Sequence, residues 1–216
     1  MLRALALSLS LAAPAAACDT ALVLAIDISG SIDAGEYALQ TEGLADALRD
    51  PDVAEALMRG QVALAVVHWS GIGAQALALP WQRMLDPAAI NAFAERTRSL
   101  PRAFTASDTA VGEAVAFSAA QFAAVPDCRR RVIDISGDGP ENAGFTVAHA
   151  RQAAQAEGIE INAIAIEDMG LSSPISSFYS RWVITKGGFV MTARGLGDYP
   201  RAIREKLIRE LTRPAS

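Results

Sequence analysis

Short runs of consecutive apolar residues alternate with longer amphipathic segments along the chain, and this alternation restricts the fold more than any other feature. An apolar run such as Ala21–Ile26 is typical of a strand buried on both faces, as happens when helices cover a parallel sheet. Gly71 and Gly73 separate two of the predicted strands, which indicates a hairpin. The predicted strands are Ala21–Ile26, Gln61–Trp69, Gln75–Trp81, Arg131–Ser136, Ile159–Ile166 and Val190–Thr192. The alternation predicts an α/β fold with a mainly parallel sheet and helices on both faces.

The amphipathic segments predict the helices. Val111, Val115 and Phe122, for example, share one face of a helix. Pro51 is expected to end the first helix, whereas Pro200 fits the first turn of the last one. The predicted helices are Ala34–Arg49, Pro87–Arg98, Thr109–Val125, Phe145–Glu157 and a final segment from near Asp198 through Leu211.

Length and charge exclude several classes of protein. The chain has 216 residues, of which 51% are hydrophobic, enough for one domain with a substantial core. Its net charge of −5 argues against a nucleic-acid binder, which needs a basic face to contact phosphates. Two cysteines are too few for a disulfide-dense scaffold or a four-cysteine zinc site.

The first seventeen residues have the layout of a secretory signal peptide. Arg3 is followed by the apolar run Ala4–Ala13, and three small residues, Ala15–Ala17, precede Cys18. The apolar run is shorter than the about 20 residues needed to span a bilayer, and no later run is long enough. We therefore predict cleavage before Cys18, a mature domain over residues 18–216, no membrane span, and a periplasmic or secreted location.

Oxygen-bearing side chains follow the first predicted strand. Asp27, Ser29 and Ser31 lie where this strand gives way to a loop and a helix, the edge at which open α/β sheets bind ligands. Their oxygens suit a hard cation such as Mg²⁺ or Mn²⁺. Serine and aspartate are also common helix caps and turn residues. These three residues alone therefore fit either a cation site or the start of a helix.

Two distant residues complete a recognisable pattern. Thr109 begins a predicted helix, and Asp138 follows the fourth predicted strand. The order D-x-S-x-S, then threonine, then aspartate resembles the metal-ion-dependent adhesion site of von Willebrand factor A-type domains. The five matching positions are Asp27, Ser29, Ser31, Thr109 and Asp138. The resemblance extends over residues 20–213, and the stretches VIDISGDG and IEINA are similar to an exported bacterial family of this fold, a domain of unknown function.

The resemblance implies a doubly wound sheet in the order 3-2-1-4-5-6 with strand 3 antiparallel. It also implies that Ser29, Ser31 and Thr109 ligate a divalent cation, Mg²⁺ or alternatively Mn²⁺ or Ca²⁺. Asp27 and Asp138 would hold the ion directly or through water. A vacant coordination position would then accept a carboxylate from a partner protein. The implied function is a metal-dependent protein-binding module and not an enzyme, with a protein that offers an acidic side chain as its partner.

Two other functions are weighed against a protein-binding module, namely an enzyme and a metal-free scaffold. An aspartate-nucleophile phosphatase on a similar sheet typically needs D-x-D after the first strand, but Ser29 stands at the second acidic position. A serine hydrolase is disfavoured because the sequence has no G-x-S-x-G. His68 and His149 are expected to be structural. A metal-free scaffold is the third possibility, and the intact ligand set argues against it.

Further carboxylates fall in or near the predicted loops. Asp134 repeats the DISG motif of Asp27 but lies within a strand, so we expect a buried carboxylate that needs a partner. The others could tighten cation binding, form a second cation site, or be solvated charges and helix caps, and the last interpretation is favoured for each one taken singly. They are Asp33, Asp108, Glu141, Glu167 and Asp168.

Cys18 and Cys128 each lie three residues before a predicted strand. If those strands are parallel neighbours, as the resemblance implies, their spacing of about 4.8 Å suits a disulfide, whose Cα atoms lie about 4.4 to 6.8 Å apart. An exported protein meets the oxidising conditions that such a bond requires. The alternative is lipidation of Cys18, although Ala15–Cys18 matches a lipobox poorly.

The segment from Met169 to Gly188 fits the alternating pattern least well. It contains Phe178, Tyr179 and Trp182. The favoured interpretation is a short helix that packs these aromatic rings onto the sheet. The other is an insertion that presents them to a partner.

Overall fold

A computed structural model describes residues 18–105, 108–167 and 174–212 of the chain. Its strands are β1 (Thr20–Asp27), β2 (Ala63–Trp69), β3 (Gln75–Arg83), β4 (Arg130–Gly137), β5 (Ile159–Glu167) and β6 (Val190–Arg194). They form one sheet in the order β3-β2-β1-β4-β5-β6. Only β3 runs antiparallel to its neighbour. The predicted fold class and strand order are therefore confirmed.

Seven α-helices connect and cover these strands within the described ranges. They are α1 (Ala34–Arg49), α2 (Pro51–Arg59), α3 (Pro87–Arg98), α4 (Val111–Ala120), α5 (Val147–Ala156), α6 (Ile175–Phe178) and α7 (Tyr199–Leu211). A 3₁₀ turn over Gln121–Ala124 follows α4, and a π-helical turn over Tyr179–Val183 follows α6.

The predicted first helix, Ala34–Arg49, is confirmed, but the helix that follows it was missed and the start predicted for another helix was wrong. Pro51 ends the first helix but also begins α2, because the Asp50 side chain accepts hydrogen bonds from two backbone amides of the new helix and proline is tolerated at its first position. The helix predicted from Phe145 begins only at Val147. Gly144 and Phe145 have φ angles of 78° and 51°, which no right-handed helix accommodates.

The sheet separates two apolar cores. Alternate residues of β1 point to opposite sides, so Leu22 and Leu24 pack with residues of α1, α2, α3 and α7, whereas Ala21 and Val23 pack with residues of α4, α5 and α6. All eight residues of β1 are buried. Burial on both faces explains why this strand is an uninterrupted apolar run and not an alternating one.

Cys18 and Cys128 form a disulfide with their Cα atoms 4.4 Å apart, as predicted. The bond joins the segments that precede β1 and β4, at the opposite edge of the sheet from Asp27. A cysteine in a disulfide has no free thiol to carry a lipid, so the structure does not favour lipidation of Cys18.

We expect the Cys18→Ser/Cys128→Ser double variant to lose about 4 kcal/mol of unfolding free energy, because the bond closes a loop of 110 residues. Urea unfolding of the wild type, with and without dithiothreitol, should show a shift of the same size on reduction. An unchanged midpoint in both comparisons would mean that the bond does not form in solution.

Asp134 has the partner that the sequence could not identify. Its carboxylate lies 2.6 Å from the Lys206 ammonium of α7, which lies 3.2 Å from Glu210. Asn162 of β5 donates a hydrogen bond of 2.6 Å to Glu210. All four side chains are buried, and burial raises the pKa of Asp134 to about 7 although the positive Lys206 acts in the opposite direction. This buried polar network fixes α7 to β4 and β5.

The Lys206→Met variant should lose about 3–5 kcal/mol of stability at pH 8, because two buried carboxylates lose their cation. The loss should be smaller at pH 5. Burial raises the pKa of Asp134 in the folded protein, so this carboxyl takes up a proton when the pH falls from 8 to 5. An uncharged carboxyl needs no cation. Urea unfolding at both pH values tests this, with exposed Lys186→Met as the control. Equal losses at pH 5 and pH 8 would contradict the role of charge.

Candidate metal centre

Four of the five predicted site residues form a continuous series of contacts at the carboxyl edge of the sheet. Asp27 ends β1, and its Oδ1 accepts a hydrogen bond of 2.8 Å from the backbone amide of Ser29. The hydroxyls of Ser29 and Ser31 lie 3.1 Å apart. Ser31 Oγ then donates a hydrogen bond of 2.9 Å to Asp138 Oδ1. The parallel pairing of β1 with β4 thus brings together side chains separated by 107 positions.

The second carboxylate oxygen of Asp27 has properties that suit a cation ligand. Asp27 is fully buried, and its Oδ2 has no hydrogen-bond partner. Burial and the negative Asp138 raise the pKa of Asp27 to about 7. A buried acceptor without a partner costs free energy, which a cation at this position would recover. The hydroxyl and carboxylate oxygens here are the donors that hard divalent cations prefer, so these residues fit such an ion.

Hydroxyl donors are essential to this interpretation. Within the described part of the chain, no three histidine, cysteine, aspartate or glutamate side chains converge on a position that could hold a metal. The candidate ligands that contact one another at this edge are accordingly serine hydroxyls together with the carboxylates of Asp27 and Asp138.

Thr109 lies at the same edge and is 5% exposed, in the loop that leads into α4. Its amide donates to Asn142 Oδ1 at 2.8 Å, and the amide of Asn142 donates to the carbonyl of Thr109 at 3.0 Å. On the other side, Ser70 at the end of β2 accepts a hydrogen bond from the amide of Ala110 and donates one to the carbonyl of Asp108. The Thr109 loop is thus held between β2 and the loop after β4.

Arg102 is a residue of this site that the sequence analysis missed. Its guanidinium donates to the carbonyls of Ile28 and Ser29 at 2.6 Å and of Ile32 at 2.7 Å. These contacts fix the backbone that carries the D-x-S-x-S residues. No local motif marks Arg102, because its acceptors lie about 70 positions earlier in the chain.

Tyr179 reaches the same site from the π-helical turn. It is fully buried, and neither its hydroxyl nor the indole nitrogen of Trp69 has a hydrogen-bond partner. A Cβ on Gly137 would lie 2.2 Å from the Tyr179 hydroxyl and 3.1 Å from Asp27 Oδ2. Glycine is therefore required at position 137 for these groups to approach each other.

The favoured interpretation of the aromatic segment holds for part of it. Tyr179 is buried and Phe178 packs beside it, with ring centroids 5.4 Å apart. Trp182 instead is 45% exposed. Residues 169–173 of this segment lie outside the described residues.

Two of the further carboxylates cap helices. Asp33 accepts a hydrogen bond from the amide of Glu36, and Glu36 accepts one from the amide of Asp33, both at 2.8 Å. Glu167 accepts a hydrogen bond of 2.7 Å from the amide of Ser176, at the start of α6. These side chains stabilise helix ends, which is the interpretation that the sequence favours for each carboxylate taken singly.

Glu141 caps two helices at once. Its two oxygens accept hydrogen bonds from Gly112 in α4 at 2.8 Å and from Val147 in α5 at 3.2 Å. Asp108 is exposed. Asp168 lies outside the described residues.

The histidines differ in their surroundings. His68 is buried with Nε2 at 3.3 Å from the Tyr37 hydroxyl, and burial, together with the positive Arg102, lowers its pKa to about 4. His149 is exposed on α5. His68 is thus a neutral core residue at pH 7, as expected.

The sheet order and the loops at its carboxyl edge define an α/β domain of the von Willebrand factor A type. The chain belongs to the family described as "Protein of unknown function (DUF1194)", whose model matches residues 17–215. No curated protein sequence matches the chain significantly. None of the described helices has both the length and the apolar character needed to cross a bilayer.

Solved structures of low sequence identity share the fold. The pilus adhesin SpaC from Lactobacillus rhamnosus GG, in its open conformation, superposes with a TM-score of 0.66 at 13% identity, over 89% of this chain and 30% of that chain. A von Willebrand factor type A protein from Catenulispora acidiphila gives 0.63 at 17% identity, over 92% and 44%. Proximal thread matrix protein 1 from the mussel byssus gives 0.63 at 16%, over 91% and 46%. The chain thus spans less than half the length of each of these three proteins.

We expect Gly137→Ala to destabilise the protein by about 1–3 kcal/mol, because the added methyl group collides with the Tyr179 hydroxyl. The Gly137→Ala/Tyr179→Phe double variant should recover part of this loss, since the colliding oxygen is removed. Urea unfolding of the two single variants and the double variant measures the coupling. Additive effects would show that the two residues do not approach each other as described.

Proposed function

We propose that this protein is an exported, metal-dependent protein-binding module that captures a carboxylate of a partner protein through a divalent cation. The observation that carries the proposal is the contact series from Ser29 through Ser31 to Asp138, next to the unpartnered buried oxygen of Asp27. These hydroxyl and carboxylate oxygens lie close together at the edge of the sheet where open α/β folds bind ligands, and this supports the proposal.

The residues of the site would contribute to cation binding in different ways. Ser29, Ser31 and Thr109 offer neutral hydroxyls, and Asp27 and Asp138 offer carboxylates. Because only two of these five donors carry charge, a bound divalent cation would supply Lewis acidity to attract a carboxylate from outside. Arg102 contributes by fixing the backbone of the serine loop, so that the donors are positioned before an ion arrives.

A solved structure of similar fold supports a divalent cation as the ligand of this site. One structure of the mussel matrix protein is described as having a zinc-occupied MIDAS motif, and it superposes on this chain with a TM-score of 0.58 at 16% identity. For this chain we propose Mg²⁺, with Mn²⁺ or Ca²⁺ as alternatives, because all five donors are oxygens.

Export is proposed on two grounds. Residues 1–17, which lie outside the described residues, have the pattern of a signal peptide. The Cys18–Cys128 disulfide also requires an oxidising compartment such as the periplasm or the exterior. We propose no catalytic role for the protein. Its structural neighbours include an adhesin and a matrix protein, and His68 is buried and neutral.

Calorimetric titration of the EDTA-treated mature protein with Mg²⁺, Mn²⁺ and Ca²⁺ tests the cation site. We expect one saturable site in the wild type and a loss of affinity of more than about tenfold in Asp27→Ala, because a ligand is removed. Glu157→Ala is the matched control, since Glu157 is an exposed carboxylate just before β5, at the opposite edge of the sheet, and should leave affinity unchanged.

Two results would contradict the proposal. Equal binding by the wild type and Asp27→Ala would place the ion elsewhere. No saturable binding of any of the three ions would favour a metal-free scaffold.

A further inference from the structure

Two large apolar side chains are exposed beside the candidate metal centre. Ile72 is 65% exposed, in the turn between β2 and β3, and Phe145 is 79% exposed, in the loop between β4 and α5. Both loops lie at the carboxyl edge of the parallel strands, where Asp27 and Asp138 also lie. We call Ile72 and Phe145 the apolar rim.

Direct contacts connect the apolar rim to the site. A Cβ on Gly71 would lie 3.1 Å from Cβ of Asp108, so the turn that carries Ile72 lies against the Thr109 loop. A Cβ on Gly144 would lie 3.7 Å from Cγ1 of Ile72. Because Phe145 follows Gly144 directly, the two rim residues belong to neighbouring loops on one continuous surface that includes the metal-centre loops.

The backbone of Phe145 is strained, although its side chain gains little from folding. Its φ of 51° lies in the left-handed region, which is unfavourable for an aromatic residue. A residue in such a conformation is retained when the surrounding structure or a function requires it. Burial of the side chain does not provide the reason, because most of the ring is exposed.

We infer that the apolar rim is the second half of the partner-binding surface and rests against an apolar side chain of the same partner whose carboxylate the metal centre binds. This inference rests on the proposed function and makes it more specific. The partner is a protein segment in which an aspartate or glutamate lies close to a large apolar residue. Contact with such a residue would shield Ile72 and Phe145 from water. An apolar contact next to a charged one is typical of protein interfaces.

A display library of random linear peptides, selected on the full mature protein in Mg²⁺ and eluted with EDTA, identifies the chemistry that the surface prefers. We expect the eluted peptides to be enriched in an aspartate or glutamate with a leucine, isoleucine, phenylalanine or methionine within three positions. One enriched peptide, labelled for fluorescence anisotropy, then serves as the probe for variants.

The variants separate the rim from the metal centre. Ile72→Ser and Phe145→Asn should each weaken binding of the peptide about tenfold. Leu85→Ser is the matched control, because Leu85 is 57% exposed but follows β3 at the opposite edge of the sheet, and its affinity should not change. Phe145→Asn should also keep or raise the melting temperature, since asparagine tolerates positive φ better than phenylalanine.

The possible outcomes distinguish this inference from the proposed function. EDTA-eluted peptides with an acidic residue but no apolar preference, or unchanged affinity in both rim variants, would overturn the inference and leave the metal-dependent function intact. Peptides that stay bound in EDTA and are recovered only by acid, and that bind Asp27→Ala as well as the wild type but not Ile72→Ser, would overturn the proposed function. If the library yields no EDTA-eluted peptide, both are rejected.

Discussion

The parallel pairing of β1 with β4 holds together both ends of this domain. The register runs from Thr20 opposite Arg130 to Ile26 opposite Ser136. Just before the paired residues, the two chains are joined covalently by Cys18 and Cys128. Just after them, they deliver Asp27 and Asp138 to the same edge. A shift of one residue in this register would turn the apolar side chains of one core toward the other and separate the two carboxylates.

Charged side chains fix the loops that follow these strands. Loops at a sheet edge leave backbone carbonyls and amides without partners, and each such group needs one. Arg102 donates hydrogen bonds to three carbonyls of the serine loop, and Glu141 accepts hydrogen bonds from amides of two helices. The atoms that lack partners instead lie around Asp27 Oδ2, Tyr179 and Trp69. Among the buried atoms of the described residues that have no hydrogen-bond partner, Asp27 Oδ2 is the one that lies in the series of contacts formed by Ser29, Ser31 and Asp138, and it therefore points to a ligand there.

The sequence analysis was most accurate for the central strands, because a continuous apolar run has a single physical cause. Continuous apolar runs located the central strands β1, β2, β4 and β5, which are largely buried on both faces, whereas β3 and β6 are only partly buried. It was least accurate at helix ends. The bounds predicted for α1 were correct, but α2 was missed, although Asp50 followed by Pro51 is a local signal for the start of a helix. The left-handed backbone at Phe145 could not be expected from an aromatic residue.

The sequence by itself determined the α/β class and the order of the elements along the chain, because hydrophobic spacing is local. The five residues predicted for the metal centre came from the resemblance to von Willebrand factor A-type domains, because the D-x-S-x-S pattern alone also fits a helix start. Only the tertiary structure decided which polar and charged side chains lie next to each other when they are far apart in the sequence. It paired Asp134 with Lys206, placed Arg102 on the serine loop and brought Tyr179 to Asp27 and Gly137. These contacts join side chains from different helices, strands and loops, and their partners depend on packing that no local pattern encodes.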